Sequence, residues 1–393
     1  MLKPVNPYRV WADIDLDAVT HNLQLIREQA GAGIGVILVV KADAYGHGAI
    51  AISHHAVRCG VEALGVGTCS EALELRQSGI TVPILVLGTI VDEEVAIALG
   101  HNIELGLHST DRQQMLQRVA RRIGVRARVH LNIDTGMGRL GVLPQRAMEL
   151  LRRVHSSSHL ELAGVMTHIA ATEGAQAPET TAQIGEFEGV LAEARAEGLL
   201  NCSVHAANSA CLFTGMRPIY DLVRPGISAY GVLPSTIPGS ERLRPALALR
   251  SQVVFIKDVP EGSTIGYGNS WRAARTTRIA TLPLGYDDGV PWRLSNCGTV
   301  LLRGQFAPIV GRVSMDYTTI DVTDISDAAV GDVVTLIGKD GDQSLIVDEI
   351  AERAQTIPYE ITCSVGKRVT RIYHGGRVMA PISDRELQRG QNC

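Results

Sequence analysis

The sequence predicts an α/β protein in which an N-terminal (β/α)8 TIM-type barrel precedes a mostly β C-terminal domain. Over the first 230 residues, eight short apolar runs alternate with stretches of helical periodicity. Near Pro234–Pro245 the pattern changes to β-branched runs separated by Gly, Pro and Asp. The chain of 393 residues also exceeds a comfortable single core, so we expect two domains, at 1–240 and 241–393.

The barrel prediction depends on strand-like runs separated by amphipathic stretches. Helical periodicity is visible at Ser70–Ser78, Thr110–Ile123 and Ala182–Glu197, with Ser70 and Thr110 expected as N-caps. Periodicity alone does not close a barrel, so a doubly wound open sheet is the structural alternative. The eight predicted strands are Gly35–Lys41, Ala63–Thr68, Pro83–Gly88, Ile103–Leu107, Ala127–Asp134, Leu162–Ile169, Ser203–Asn208 and Asp221–Ile227.

The second domain contains few long helical patterns, apart from one around Ile346–Ala354. Its apolar runs are rich in Val, Ile and Thr, which is typical of strands. We predict strands at Leu249–Val254, Thr277–Leu282, Thr299–Leu302, Thr318–Val322 and Asp332–Leu336.

Composition excludes several classes of protein. A net charge of −4 and a pI near 6.3 give no basic surface for nucleic acid. No apolar run reaches the roughly 18 residues that a membrane span needs, and residues 1–7 lack the apolar stretch of a signal peptide. The seven cysteines form no CxxC pair, which favours reduced thiols over disulfides or a zinc site. We therefore expect a cytoplasmic protein without a metal.

Lys41 is one of only five lysines, and it is alone between residues 4 and 256. It directly follows the apolar run Val36–Val40, where a lysine is costly to bury without a partner or a covalent use. Arginine can replace lysine on most surfaces but cannot form a Schiff base with an aldehyde. The sequence therefore favours a covalent role for Lys41, with a snorkelling lysine as the alternative.

Further polar residues fall at the ends of later predicted strands. Arg139 follows the fifth strand, His168 ends the sixth, Ser209 follows the seventh and Arg224 lies in the eighth. These strand ends meet at one face of a (β/α)8 barrel, where active sites lie. A lone histidine is otherwise more often a hydrogen-bonded core residue. We expect a phosphate cradle formed by Ser209 and the N–H groups of Gly226 and Ile227.

Eight motifs follow one another along nearly the whole chain: Lys41–Gly48 (KADAYGHG), Asp134–Gly141 (DTGMGRLG), His205–Ala210 (HAANSA), Arg224–Ile227 (RPGI), Gly266–Trp271 (GYGNSW), Gly285–Gly289 (GYDDG), Gly311–Asp316 (GRVSMD) and Ile357–Glu360 (IPYE). In this order they resemble the motifs of bacterial alanine racemases, which depend on pyridoxal 5′-phosphate (PLP). One motif alone would be weak, whereas eight in order are specific. The resemblance implies a (β/α)8 barrel, a C-terminal β domain and a head-to-tail homodimer with shared active sites.

The resemblance also implies how the cofactor is held. Lys41 would bind PLP through a Schiff base and act as a catalytic base. Arg224 matches the arginine that hydrogen-bonds the pyridine nitrogen, and Arg139 matches the residue near the phenolic oxygen and the substrate carboxylate. The residues that match phosphate contacts are Tyr45, Ser209, Gly226, Ile227 and Tyr359.

A second catalytic base, by the same resemblance, is Tyr267, which reaches the active site from the partner subunit. Met315 and Asp316 accompany it and contact the substrate. His168 matches the residue that contacts this tyrosine, and hydrogen bonding or charge there would lower the tyrosine pKa from its usual value of ~10. Tyr286 resembles a residue that lines the substrate entrance.

The chemistry of racemisation agrees with these roles. A proton leaves one face of Cα and another arrives on the opposite face, which requires two bases, here Lys41 and Tyr267. PLP supplies the electron sink. An arginine stays protonated, so beside Arg224 the pyridine nitrogen is expected to stay unprotonated, which weakens the sink and limits side reactions such as transamination. The expected product is D-alanine for peptidoglycan.

One position departs from the family pattern. Many alanine racemases carry a carbamylated lysine seven residues before the arginine that matches Arg139, and this chain has Asn132 there. Some racemases, including serine and broad-specificity relatives, also carry asparagine, with an anion such as chloride in place of the carbamate. We therefore predict chloride or a similar anion beside Asn132 and Arg139, with water as the alternative. A serine or broad-specificity racemase is the alternative function.

Two other kinds of PLP protein fit the sequence less well. A decarboxylase of the same barrel family supplies a Cys-Asp pair from its second domain, and no such dipeptide exists here. A non-catalytic PLP-binding protein with a lone barrel would lack residues 241–393, and with them Tyr267.

Overall fold

The computed structural model describes residues 7–170 and 177–376. Within these residues, eight parallel strands close into a barrel, which confirms the predicted (β/α)8 fold and excludes the open sheet. Each predicted strand overlaps one observed strand, because short buried apolar runs of this kind favour parallel pairing. Strand β1 (Val10–Asp15) precedes the barrel, whose strands are β2 (Gly35–Val39), β3 (Ala63–Val66), β4 (Ile84–Val86), β5 (Glu104–Leu107), β6 (Ala127–Asn132), β7 (Leu160–Met166), β8 (Ser203–Asn208) and β9 (Leu222–Arg224).

Helices connect the barrel strands and cover the outside of the barrel with their buried apolar faces. The three predicted helices are present as α4, α6 and α8. The helices in the described residues are α1 (Leu16–Ala30), α2 (Lys41–Tyr45), α3 (Ala49–Arg58), α4 (Cys69–Gln77), α5 (Asp92–Gly100), α6 (Thr110–Ile123), α7 (Pro144–His155), α8 (Pro178–Ala196), α9 (Ser209–Phe213), α10 (Val347–Ala354) and α11 (Pro358–Cys363).

The N-caps predicted at Ser70 and Thr110 are wrong by one or two residues. Helix α4 is capped by Thr68, whose hydroxyl accepts a hydrogen bond from the N–H of Glu71 at 3.2 Å. Helix α6 is capped by Ser109. An N-cap residue has extended backbone and lies just before the first helical residue, and hydrophobic periodicity does not locate that change of backbone.

The C-terminal part is mostly β, as predicted, and contains all five predicted strands. Its main sheet has the strand order β16-β15-β18-β10-β1-β20, with β19 paired to β18. A second sheet has the order β11-β14-β17, and β12 and β13 form a hairpin. The strands are β10 (Leu247–Gln252), β11 (Phe255–Val259), β12 (Thr264–Ile265), β13 (Trp271–Arg272), β14 (Thr277–Leu282), β15 (Thr299–Leu302), β16 (Gln305–Pro308), β17 (Thr318–Asp321), β18 (Val333–Asp340), β19 (Gln343–Leu345) and β20 (Thr370–His374).

Strand β1 was not predicted, and it lies in the main sheet of the C-terminal part rather than in the barrel. Val10 pairs with Ser251 of the antiparallel neighbour β10, and Trp11 pairs with Thr370 of the parallel neighbour β20. The domain boundary at residue 240 stays a prediction, but the sheet beyond it contains a strand from the N-terminal segment.

Two terminal segments that the predictions cover lie outside the described residues. The segment 1–6, where no signal peptide is expected, lies outside the described residues, as do 377–393 at the end of the predicted second domain. Within the described residues, no helix combines the length and the apolar character that crossing a membrane requires. The six described cysteines are all free thiols.

Candidate active site

A cavity of about 190 Å³ lies at the carboxyl ends of the barrel strands. Asn132 and nine of the residues predicted for the site line it. Eight of those nine come from the barrel and its loops, whereas Tyr359 comes from α11 in the C-terminal part. The nine residues are Lys41, Tyr45, Arg139, His168, Ser209, Arg224, Gly226, Ile227 and Tyr359.

Lys41 begins α2, a single turn with left-handed backbone. Residues Ala42–Tyr45 have φ values of 53° or 54°, and Gly46 follows with 84°. Left-handed backbone costs roughly 1–2 kcal/mol for each residue other than glycine. Strain of this kind persists only where surrounding contacts hold it, and it concentrates at functional sites.

The C-terminal part supplies the contacts that hold this turn. The Nε–H of Arg371 donates to the carbonyl of Gly46 at 3.2 Å, and the hydroxyl of Tyr373 donates to the carbonyl of His47 at 3.2 Å. A Cβ atom on Gly46 would lie 2.1 Å from the carbonyl oxygen of Thr362, so only glycine allows this approach. Strand β20 and helix α11 therefore fix the position from which Lys41 extends.

The Lys41 side chain lines the cavity without a hydrogen-bond or ion-pair partner among the described residues. The backbone around it is fixed by Glu71, whose carboxylate accepts hydrogen bonds from the N–H groups of Ala42 and Gly67, each at 2.7 Å. The turn is thus anchored, while the amine has no ionic partner in the described part of the chain. Such a lysine is free to form a covalent bond with a carbonyl ligand.

Arg224, the last residue of β9, is 4% exposed and uses four of its N–H groups within the protein. Nη1 donates to Nδ1 and to the carbonyl of His205, at 2.7 and 2.8 Å. Nη2 donates to the carbonyls of Thr167 and Ala206, at 2.7 and 3.0 Å. A guanidinium has five N–H groups, and the fifth, on Nε, has no acceptor among the described residues. Since an unpaired buried donor is costly, a ligand acceptor fits there.

His168 lies beside this arginine, with 3.4 Å between its Nδ1 and Nη2 of Arg224. Burial, together with the charges of Arg224, Arg139 and Lys41, lowers the pKa of His168 to about 3. The imidazole is therefore neutral around pH 7. We expected His168 to lower the pKa of a tyrosine either by hydrogen bonding or by its charge. A neutral imidazole can still form the hydrogen bond, but it carries no charge.

Donors gather at the end of the cavity near Ser209. The N–H of Gly226, which was expected to face the phosphate, instead donates to the Ser209 hydroxyl oxygen at 2.9 Å. This hydrogen bond leaves the proton of Ser209 for a ligand. Ile227 begins a 3-10 turn, so its N–H has no partner within that turn. A Cβ atom on Gly226 would lie 2.4 Å from the Tyr45 hydroxyl. Burial raises the pKa of Tyr45, which keeps its phenol a donor. These donors suit an anionic oxygen group.

A cation and an amide lie together at the Arg139 side of the cavity. Arg139 is exposed and has no ion-pair partner among the described residues. Asn132 is buried at the end of β6, and its Nδ2 donates to the carbonyl of Leu140 at 3.0 Å. One N–H of this amide remains after that bond. The pair offers positive charge and a donor to a small acceptor.

The remaining predicted site residues do not line this cavity. Tyr267 is 74% exposed and Met315 is 51% exposed. Asp316 is half-buried, and its carboxylate pairs with Arg368 at 2.8 Å. Tyr286 lies at a separate cleft. The structure therefore does not join Tyr267, Met315 and Asp316 to the Lys41 site within one chain.

Two family models match the chain. The model described as alanine racemase, N-terminal domain, matches residues 14–234, and that described as alanine racemase, C-terminal domain, matches residues 246–373. The chain belongs to the alanine racemase family.

Alanine racemases from other organisms match nearly the full length of the chain. An alanine racemase of Methanococcus maripaludis is 39% identical to this racemase over 367 residues, which are 93% of this chain and 98% of that relative. A solved alanine racemase from Clostridium difficile 630 has a TM-score of 0.88 at 33% identity, covering 94% of this chain and 96% of the other. One from Bartonella henselae, described with covalently bound pyridoxal phosphate, has a TM-score of 0.83 at 31% identity, covering 94% and 100%. The chain is thus an isomerase of the family that interconverts L- and D-alanine.

Sequence reasoning missed three polar residues of this racemase inside the barrel. Glu104, His130 and His205 are buried on β5, β6 and β8 and link to Arg224 through hydrogen bonds. The sequence contained a signal for them, because a carboxylate and two imidazoles lie within runs that otherwise have the apolar pattern of buried strands. In a barrel, alternate residues of a strand point into the interior, where an unpaired charge is not tolerated.

Proposed function

We propose that this racemase holds PLP on Lys41 and uses two bases on opposite faces of the alanine Cα. Lys41 is one base, and Tyr267 of a second copy of the chain is the other. The observation that carries the proposal is the cavity itself. Within residues 7–170 and 177–376, it combines an amine without an ionic partner, a buried arginine with one unused N–H group, and a cluster of donors suited to phosphate.

The residues present fit PLP at three points. Lys41 can form the covalent bond, and the unused Nε–H of Arg224 suits the pyridine nitrogen as an unprotonated acceptor. Tyr45, Ser209 and Ile227 offer donors to the phosphate. When bound, PLP supplies the electron sink that makes the Cα proton acidic.

Two side chains then transfer the protons to and from Cα. The Lys41 amine removes or returns the proton on one face of Cα, and a second base must serve the other face, a role we assign to the Tyr267 hydroxyl. A phenol with a pKa of ~10 is a poor base at neutral pH. A neutral His168 near Tyr267 can accept a hydrogen bond from the phenol and so favour loss of its proton.

A second copy of the chain is needed for this arrangement. Tyr267, Met315 and Asp316 lie away from the cavity of their own chain, and the first two are largely exposed. Contribution of these residues to the cavity of a second copy, in a head-to-tail homodimer, accounts for their position. Arg139 would bind the substrate carboxylate from the barrel side, with Met315 and Asp316 of the other copy opposite.

The Arg139 side of the cavity is proposed to hold chloride or a similar small anion beside Asn132. Arg139, Arg224 and Lys41 bring positive charge to one cavity, and no carboxylate pairs with Arg139 among the described residues. An anion there reduces the repulsion and helps to orient the arginine.

Product analysis tests the substrate. Full-length protein incubated with PLP and L-alanine should form D-alanine until both enantiomers are equal, and L-serine should react more slowly. Faster conversion of L-serine would favour the serine or broad-specificity alternative. No D-alanine from the PLP-loaded protein would contradict the proposal.

The cellular role that follows is supply of D-alanine for peptidoglycan, in the cytoplasm. Free thiols at all six described cysteines are compatible with a reducing compartment. Expression in a bacterium that requires D-alanine should restore growth without the supplement. Growth restored by wild-type protein but not by a Lys41→Ala variant would tie the rescue to this cavity.

A further inference from the structure

A row of four buried polar side chains crosses the barrel interior and ends at the cavity. Glu104 Oε2 lies 2.8 Å from His130 Nε2, His130 Nδ1 lies 2.8 Å from His205 Nε2, and His205 Nδ1 lies 2.7 Å from Nη1 of Arg224. These side chains come from β5, β6, β8 and β9, and each is at most 5% exposed.

The arginine at one end fixes every proton in the row. A guanidinium only donates, so Nδ1 of His205 must accept and the proton of that ring lies on Nε2. This proton is donated to Nδ1 of His130, so His130 also carries its proton on Nε2, which donates to the Glu104 carboxylate. Both imidazoles are then neutral, between a cation and an anion.

The charges agree with this arrangement. Burial, together with the charge of Arg224, lowers the pKa of His205 well below its usual value. Burial alone would raise the pKa of Glu104, but hydrogen bonds from His130 and Arg128 lower it below the usual value. Arg128 donates to Glu104 at 2.7 Å and to Glu161 at 2.6 Å, so the row is anchored at the far end of β6.

The neighbouring strand is shaped to admit the central ring. A Cβ atom on Gly164 of β7 would lie 2.3 Å from Nδ1 of His130. Any other residue at 164 would displace this imidazole from its position between Glu104 and His205. Packing as well as hydrogen bonding therefore holds the row in place.

We propose that Glu104, His130 and His205 are positioning residues for Arg224, which hold its guanidinium so that the remaining Nε–H points to the ring nitrogen of PLP. They do not touch the ligand and act only through Arg224. The inference rests on the proposed function for the identity of the ligand, whereas the proton positions are a property of the protein alone. A merely structural role would make the three residues matter for folding but not for the cofactor.

The proton positions can be read in the cofactor-free, full-length chain. Histidine-selective ¹⁵N NMR should show two neutral rings protonated at Nε2. In His130→Phe one of these two signals should be lost, and the signal of His205 should shift because its Nε2–H loses its acceptor. The matched control is His55→Phe, because His55 is also fully buried but hydrogen-bonds to Thr20 outside the barrel. Protonation of His205 at Nδ1, or charged rings at pH 7, would overturn the inference.

The effect on the cofactor is read by titrating PLP into each variant and following its absorbance. His130→Phe should weaken PLP binding on the order of 10-fold or more and shift the pH dependence of the absorbance band, while His55→Phe changes neither. Gly164→Ala keeps all the polar groups and should show the same changes to a smaller extent. This second variant still tests the positioning role if His130→Phe does not fold. Equal PLP affinity in His130→Phe, Gly164→Ala and wild type would refute the positioning role. If wild type itself did not bind PLP at Lys41, the proposed function would fail instead, and the NMR result would stand alone.

Discussion

The two halves of the candidate site differ in how complete they are within one chain. On the barrel side, Arg224 is 4% exposed and satisfies four N–H groups, and the turn that carries Lys41 is held by β20 and α11. On the C-terminal side, Tyr267 is 74% exposed and lines no part of the cavity. A single chain therefore has a preformed place for a cofactor, whereas the groups proposed to complete its chemistry face outward. We therefore expect one protomer to bind the cofactor by itself and catalysis to require the assembly of two copies.

The barrel half is tested most strongly at Lys41. Lys41→Ala should abolish racemisation, with a loss on the order of 10³-fold or more, because it removes both the covalent anchor and one base. Borohydride treatment of the PLP-loaded wild type should fix the cofactor on Lys41, as located by peptide mass spectrometry. Lys257→Ala is the matched control, since this exposed lysine on β11 is remote from the cavity. Label at Lys257, Lys339 or Lys367 would place the cofactor elsewhere.

The outward-facing half is tested at Tyr267. Tyr267→Phe should lower kcat on the order of 10²-fold in the L-to-D direction while PLP still binds, because only a proton-transfer group is lost. Rates in each direction, with deuterium exchange at Cα, measure the loss on each face. Tyr220→Phe, which removes a hydroxyl near the start of β9, should keep the wild-type rate. Equal rates for Tyr267→Phe and wild type would rule out the two-base scheme.

Mixing the two inactive variants tests whether the two bases of one site come from different chains. After subunit exchange between Lys41→Ala and Tyr267→Phe, each heterodimer would contain one site with both bases, so about a quarter of wild-type activity should return. Verified exchange without recovery would mean that both bases come from the same chain.

Buried histidines on the barrel side should also make the cofactor-free protein sensitive to acid. Burial lowers the pKa of His47 to about 4, and burial with nearby positive charge lowers that of His168 to about 3 and that of His205 well below its usual value. The unfolded chain, with histidine pKa values of ~6.5, binds more protons, so stability falls as the pH drops. The slope of unfolding free energy should approach about 4 kcal/mol per pH unit below pH ~5.5 for three such groups.

Denaturant unfolding at a series of pH values around and below pH ~5.5 measures this slope. His47→Gln should reduce the slope by about 1.4 kcal/mol per pH unit, which is the contribution of one such group. His155→Gln, at an exposed histidine of α7, should leave it unchanged. A slope near zero in wild type would mean that these rings are protonated in the folded protein.

The smallest effect is expected at the Arg139 side of the cavity. Replacing chloride by a bulky anion at constant ionic strength should raise the KM for alanine on the order of a few-fold, because Arg139 loses an oriented partner. Asn132→Asp supplies a fixed negative charge at this position and should remove the dependence on chloride. Unchanged rate and KM in wild type, with no anion density beside Asn132, would leave water as the occupant.

The sequence was most informative where structure depends on short buried runs. All eight barrel strands were predicted, because parallel barrel strands are nearly continuous apolar segments. Lys41 was predicted because a lysine at the end of such a run is unusual. Strand β1 was missed since its partners, β10 and β20, are remote in sequence and its six residues carry no barrel-like pattern of their own.

Other features had no local signal. Nothing in Ala42–Tyr45 indicates a left-handed turn except the glycines that follow, because the turn is held by Arg371 and Tyr373. The positions of Tyr267 and Met315 outside the cavity follow from chain topology, which the motifs alone do not reveal; their expected place came from resemblance. The polar residues Glu104, His130 and His205 stand out within buried-strand runs, but their connection to Arg224 could not be predicted because the four residues lie on four different strands.

The position of β1 between β10 and β20 has a consequence for biosynthesis. The barrel strands all lie before residue 225, so the barrel can close while the rest of the chain is still being made. Strand β1, made first, acquires its antiparallel neighbour only with Leu247–Gln252 and its parallel neighbour only with Thr370–His374. Until then its edges are open to other chains, which is the usual route to aggregation. A chain that stops before β20 would therefore contain a closed barrel but leave one edge of β1 without its neighbour.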